Sequence, residues 1–229
     1  MVSANLIEQS QEGATLYRPD PDWPKYPPEI SFEMGSGIAV DDRDIIYALA
    51  REVEHWTAHP LALSTRQGKG SVMMFDRDGN YLGKWGKSDE PGFALTAHTI
   101  HFIDGNFWIT DREGHTVRKF DREGNLLLTL GTFAEWGADE RHFNGPTGVA
   151  VQKNGNIVVT DGYWNARLIW FSPEGEYIKE IGGWGYGPGQ FILPHAVTQL
   201  PDGRLLVVDG SNGALHRYAT VEGQIAEHR

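Results

Sequence analysis

Residues 143–182 read FNGPTGVAVQKNGNIVVTDGYWNARLIWFSPEGEYIKEIG, and this stretch decides the fold. It holds four short runs, 148–152, 157–160, 166–171 and 177–181, rich in β-branched and aromatic residues. Asn154-Gly155, Asp161-Gly162 and Pro173-Glu174-Gly175 separate them, and all three are turn chemistry. The runs are too short for helices. The unit recurs at 93–131 and again from Phe191: Phe93, Phe143 and Phe191 are 50 and 48 residues apart, as are Asp111, Asp161 and Asp209. A looser copy precedes them, GSGIAVDDRDIIYALA from Gly35 and VMMFDRDGNYLGKWG from Val72, with about twenty residues inserted between its halves. Four strands per repeat at a period near 48 predicts an all-β fold, a β-propeller of four-stranded blades. A β-sandwich does not repeat its turn residues in register. The chain divides into a proline-rich extension (1–30) and about four blades, roughly 31–90, 91–141, 142–189 and 190–229.

Composition narrows the function. Cysteine is absent, which excludes a disulfide framework, a thiolate metal site and a cysteine nucleophile. The formal net charge of −11 makes the chain a poor binder of phosphate backbones, so no nucleic-acid partner is expected. No run approaches the 18 apolar residues that cross a membrane, and no charged leader precedes an apolar segment. A cytoplasmic location is expected, or an extracellular one if a leader was removed.

Three residues share one blade position. His98, Thr147 and His195 are 49 and 48 apart and fall where the first strand of each repeat begins. A histidine at this position in every second blade points at the channel mouth, where imidazoles can converge on a metal. The plain alternative is a hydrogen-bonded strand-end histidine. The recurrent Asp111, Asp161 and Asp209 are read as structural, closing the turn after each second strand. His55, His59, His101, His115, His142, His216 and His228 receive no functional role.

The blade pattern resembles the NHL repeat. It is most similar to the lyase domain of peptidylglycine α-amidating enzymes and its stand-alone bacterial relatives. The segments that carry the likeness are AHTI with DGNFWITD (97–111), HFNGPTGVAV (142–151), TDGYWNAR (160–167) and PGQFILPHAV (188–197). The resemblance implies a six-bladed propeller with a divalent metal, usually zinc, in its channel, and a structural calcium. It places metal ligands at His98 and His195, the catalytic tyrosine at Tyr163, and an active-site arginine at Arg51. Ala50-Arg51-Glu52 departs from the His-Arg-Gly usual there, and Gly210 and Ala214 stand where relatives often carry arginines. A third histidine is expected roughly 97 residues past His195, beyond the last residue of this chain.

The implied reaction cleaves the C–N bond of an α-hydroxyglycine amide, giving an amide and glyoxylate. A phenol near a metal serves as base, and a guanidinium grips a carboxylate through two parallel bonds. The substrate is a peptide or small molecule bearing an α-hydroxyglycine-like group. Two rival functions are a metal-dependent propeller hydrolase or lactonase and a non-catalytic NHL binding module. A four-bladed arc is expected to expose sheet faces at both ends, which favours an oligomer.

Overall fold

The computed structural model describes residues 20–28, 30, 34–52, 69–86, 93–221 and 224–228. They form four antiparallel four-stranded sheets, each a meander in chain order. The first holds β1 (Met34–Val40), β2 (Ile46–Glu52), β3 (Lys69–Phe75) and β4 (Tyr81–Trp85). The second holds β5 (Ala97–Ile103), β6 (Asn106–Asp111), β7 (Thr116–Phe120) and β8 (Leu126–Leu130). The third holds β9 (Gly148–Val151), β10 (Ile157–Asp161), β11 (Arg167–Phe171) and β12 (Tyr177–Gly182). The fourth holds β13 (Pro194–Gln199), β14 (Leu205–Asp209), β15 (Ala214–Val221) and β16 (Gln224–His228). The all-β propeller architecture is therefore present, blade by blade. β11 starts one residue later than the sequence indicates, because Ala166 sits in the left-handed region at φ 52°.

Successive blades pack face to face, with β1 against β5, β5 against β9 and β9 against β13. Tyr47, Leu49, Ile100 and Phe107 fill the first seam; Trp108, Val117, Val149 and Val159 the second; Val158, Leu168, Val207 and Tyr218 the third. Every residue of β10 and β11 is buried, since both faces of the third blade are covered. Both strands accordingly read as continuous apolar runs rather than alternating ones.

The outermost faces differ from the expectation of two bare ends. On the first blade, Ala48, Ala50, Met73 and Phe75 are covered by Trp23 and Ile30 from the N-terminal extension. Tyr26 adds an edge-on contact to Phe75 at 5.6 Å, and Lys25 N–H donates to the Gly79 carbonyl at 2.8 Å. Ile38 and Val40 stay exposed on that side, as do Val208 and Leu215 on the far face of the fourth blade.

The recurrent aspartates are structural and do more than close the following turn. Each is buried at the end of a second strand and clasps the segment that leads into the first strand of its own blade. Asp111 accepts from Leu95 N–H and Thr96 N–H, both at 2.7 Å, and from Gly114 N–H at 3.1 Å. Asp161 accepts from Asn144 N–H at 2.8 Å and pairs with Arg167 at 3.0 Å, and Asp209 accepts from Leu193 N–H at 2.6 Å. Removing such a carboxylate leaves several buried donors without partners. Asp111→Ala is expected to cost about 3 kcal/mol in chemical denaturation, and Asp111→Asn, which keeps one acceptor oxygen, clearly less.

Candidate functional site

The two candidate histidines are aimed by a backbone irregularity. In β5, Ala97 pairs with Asp111 and Thr99 with Thr110, so His98 is an extra residue in the ladder. In β13, Pro194 pairs with Asp209 and Ala196 with Val208, leaving His195 extra in the same way. Ser36 is the equivalent in β1, between Gly35 and Gly37. Such a bulge re-aims a side chain that the strand would otherwise point at a neighbouring blade.

These residues also link one blade to the next. Ser36 Oγ donates to the Ala97 carbonyl at 2.9 Å, and Thr147 Oγ1 to the Pro194 carbonyl at 2.6 Å. His98 Nδ1 lies 3.1 Å from the Thr147 carbonyl. A carbonyl only accepts, so Nδ1 carries the proton, and in the neutral ring Nε2 is the acceptor. That atom lies 3.0 Å from the Tyr163 hydroxyl, which donates to it. The phenol oxygen then accepts from His195 Nε2, 3.3 Å away. The three rings meet edge to face, with 5.0 Å between the imidazole centroids and 5.4 and 5.7 Å from each to the tyrosine. Burial pushes the His195 pKa below the usual histidine value, so its imidazole is neutral at pH 7.

Tyr163 stands in the turn between β10 and β11, which rests on residues 144–145. Tyr163 N–H donates to the Gly145 carbonyl at 3.2 Å, and Trp164 N–H to the Asn144 carbonyl at 3.1 Å. Gly145 has φ 79°, and a Cβ there would stand 2.6 Å from the Trp164 ring and 2.7 Å from Tyr163 Cβ. Only glycine admits that contact. Trp164 lies against Tyr163 with 5.6 Å between centroids.

Two charged residues complete the mouth, and sequence reasoning assigned them nothing. The Arg112 guanidinium lies over the Tyr163 ring, 5.2 Å from its centroid. It pairs with Glu113 through Nε at 2.6 Å and Nη2 at 2.5 Å, both to Oε1, while Glu113 Oε2 is buried without a hydrogen-bond partner. Burial opposes the Arg112 charge, but Glu113 and the Tyr163 phenol outweigh it and hold the guanidinium above its ordinary pKa. The signal was the register: Ala50 pairs with Gly35 as Asp111 pairs with Ala97, so Arg51 and Arg112 hold equivalent positions.

His98, His195 and Tyr163 are thus brought together. Arg51 is the last residue but one of β2, opposite Met34 and Gly70, but its side chain lies outside the described residues, as do His55 and His59. His101 stands farther along β5 beside a cavity of about 480 Å³ bordered by Phe102, Val151 and Lys153. Two imidazoles with inward Nε2 atoms, one fixed by a backbone carbonyl, suit two positions of a metal site once the His195 proton sits on Nδ1. No group of three histidine, aspartate or glutamate side chains able to hold a metal occurs among the described residues.

The NHL repeat family matches residues 143–171. Peptidyl-glycine alpha-amidating monooxygenase B of Xenopus laevis is 40% identical over 229 residues, covering 91% of this chain. A probable peptidyl-alpha-hydroxyglycine alpha-amidating lyase of Caenorhabditis elegans is 27% identical over 216 residues, covering 89% of this chain. The chain is an NHL propeller of the amidating-lyase family. It spans 25% of the frog protein and 57% of the nematode one. Among solved structures, a streptogramin B lyase matches with a TM-score of 0.60 and 17% identity, over 87% of this chain and 56% of that one. That likeness carries the propeller fold alone.

One titration checks this site. The folded state resists a proton on His195 that the unfolded chain accepts near pH 6.5. The stability this residue contributes is present above that pH and is lost as pH falls through its lower folded value. Histidine NMR should show the His195 ring titrating below the usual range. In Tyr163→Phe the hydroxyl contact to both imidazoles disappears but the ring packed on His195 stays, so the lowered titration should persist.

Proposed function

We propose that this propeller is a lyase that cleaves the C–N bond of an α-hydroxyglycine-type carbinolamide, releasing a primary amide and glyoxylate. The observation that carries the reading is the Tyr163 hydroxyl held between Nε2 of His98 and Nε2 of His195. A base and two potential metal ligands meet there at one point, on the residues that the family likeness selects.

The reaction moves one proton and breaks one bond. The carbinol O–H loses its proton as the C=O of glyoxylate forms, and the C–N bonding pair leaves with the nitrogen. That nitrogen takes up a proton to become the primary amide, so no water is consumed and no redox partner is required. As the phenolate, the Tyr163 oxygen is the group placed to accept the carbinol proton and to return it to the nitrogen. The Thr147 carbonyl fixes the His98 ring beside that oxygen, and a bound metal would take the Nε2 lone pair that otherwise meets the phenol. Trp164 covers one side of the phenol and limits water. His98 and His195 would hold the divalent metal, zinc by family likeness. When bound, it supplies a Lewis acid that polarises the substrate hydroxyl. A carboxylate-holding role for Arg51 rests on the family likeness.

The test is glyoxylate release from an N-acyl-α-hydroxyglycine by metal-replete protein. Tyr163→Phe should lower kcat by a factor on the order of 10² or more with little change in KM. His98→Ala and His195→Ala should each reduce retained metal. Loss of substrate without glyoxylate would indicate a hydrolase, and no turnover by metal-replete protein would overturn the lyase reading.

A further inference from the structure

We infer that Arg112 is an anion-binding residue of this site and grips the substrate carboxylate beside Tyr163. The identity of the anion rests on the lyase reading above; the anion site itself does not.

Geometry comes first. Arg112 follows the buried Asp111 clasp, so its backbone is fixed at the channel mouth. Its guanidinium stacks on the phenol that bridges the two imidazoles. The next blade has Gly162 after its own clasp, where a Cβ would meet the Pro194 carbonyl at 2.1 Å. That position of the third blade therefore has no room for a side chain, whereas the second blade carries a long cationic one. Arg51 occupies the same register position in the first blade, so the two adjacent blades present arginines at one level.

Charge comes second. A structural arginine–carboxylate pair reaches its full strength as a fork, two N–H groups on two oxygens. Here Nε and Nη2 both use Oε1 of Glu113, and Oε2 is left without a partner. The pair is one-sided, which leaves the guanidinium capacity for a second anion. The chain carries a net charge of −11. A carboxylate entering such a site needs a local cation, and among the described residues Arg112 is the guanidinium in contact with Tyr163.

The experiment uses the whole chain and an unreactive pair of probes, N-acetylglycine and its neutral amide, N-acetylglycinamide. Neither has the hydroxyl needed for cleavage, so binding is read without turnover, by calorimetry or quenching of tryptophan fluorescence. The wild type should prefer the acid. Arg112→Ala should weaken acid binding by a factor on the order of 10 to 100 while leaving amide binding in place. Arg112→Lys, which keeps the charge but loses the planar fork, should recover part of the preference. The acid-to-amide ratio is independent of the fraction folded, so a destabilised variant still reports. An unchanged ratio in Arg112→Ala, or no preference in the wild type, overturns the proposal. If the ratio depends on Arg112 but no glyoxylate forms from a hydroxyglycine substrate, the lyase reading falls and the anion site stands. If glyoxylate forms with the same KM in Arg112→Ala, the anion site falls and the lyase reading stands.

Discussion

The site depends on one extra residue at the head of three of the four inner strands. A residue in a regular strand of a propeller blade faces one of its two neighbouring blades, and both are apolar seams. A polar side chain placed there would be buried without a partner. The bulges at Ser36, His98 and His195 take the side chain out of that alternation. Each is turned across the edge of its sheet toward the channel. The same turn lets Ser36 and His98 reach a backbone carbonyl in the following blade, as Thr147 does from the head of the third. One device therefore fastens successive blades and exposes functional atoms, so the seams and the chemistry are not independent of each other.

The clasping aspartates make the bulges possible. A bulge leaves ladder groups unpaired and would fray a strand end. Asp111 and Asp209 close that end by accepting backbone N–H groups from the segments that enter β5 and β13. Carboxylates this deeply buried are costly unless fully bonded, and each has several donors. Their conversion to turn-closing residues alone would leave the histidines on loose ends, with the Nε2 atoms of His98 and His195 no longer held to one oxygen.

The sequence revealed the period, and with it much of the fold. Equal spacing of Phe93, Phe143 and Phe191 and of the three aspartates located every seam and every clasp. Equal spacing of His98, Thr147 and His195 located the head of the inner strands. What spacing does not carry is direction. Whether His98 lies in a seam or crosses the edge of its sheet depends on a register shift that only strand pairing displays. Arg112 was hidden for a related reason. It follows a recurrent aspartate, a place where the third and fourth repeats have glycine, so the repeat pattern gave it no role. Its contact with Tyr163 joins residues from two blades, and repeat analysis aligns blades without showing which of their loops meet. The cover over the first blade escaped notice as well, because Trp23 and Ile30 lie in a proline-rich stretch with no period.

The tautomers tie these levels together. Thr147 has no titratable group, yet its carbonyl sets the proton on His98 Nδ1 and so leaves Nε2 as an acceptor. That acceptor orients the Tyr163 proton, and the phenol oxygen in turn faces His195. A hydroxyl residue on the third blade, between two histidine blades, thus serves through its backbone rather than its side chain. Its own Oγ1 is occupied in fastening the fourth blade. The hydroxyl residue at this position therefore shapes the arrangement of the rings as the imidazoles themselves do. Thr147 fixes which nitrogen His98 turns toward the Tyr163 hydroxyl, and that hydroxyl spans the gap to His195.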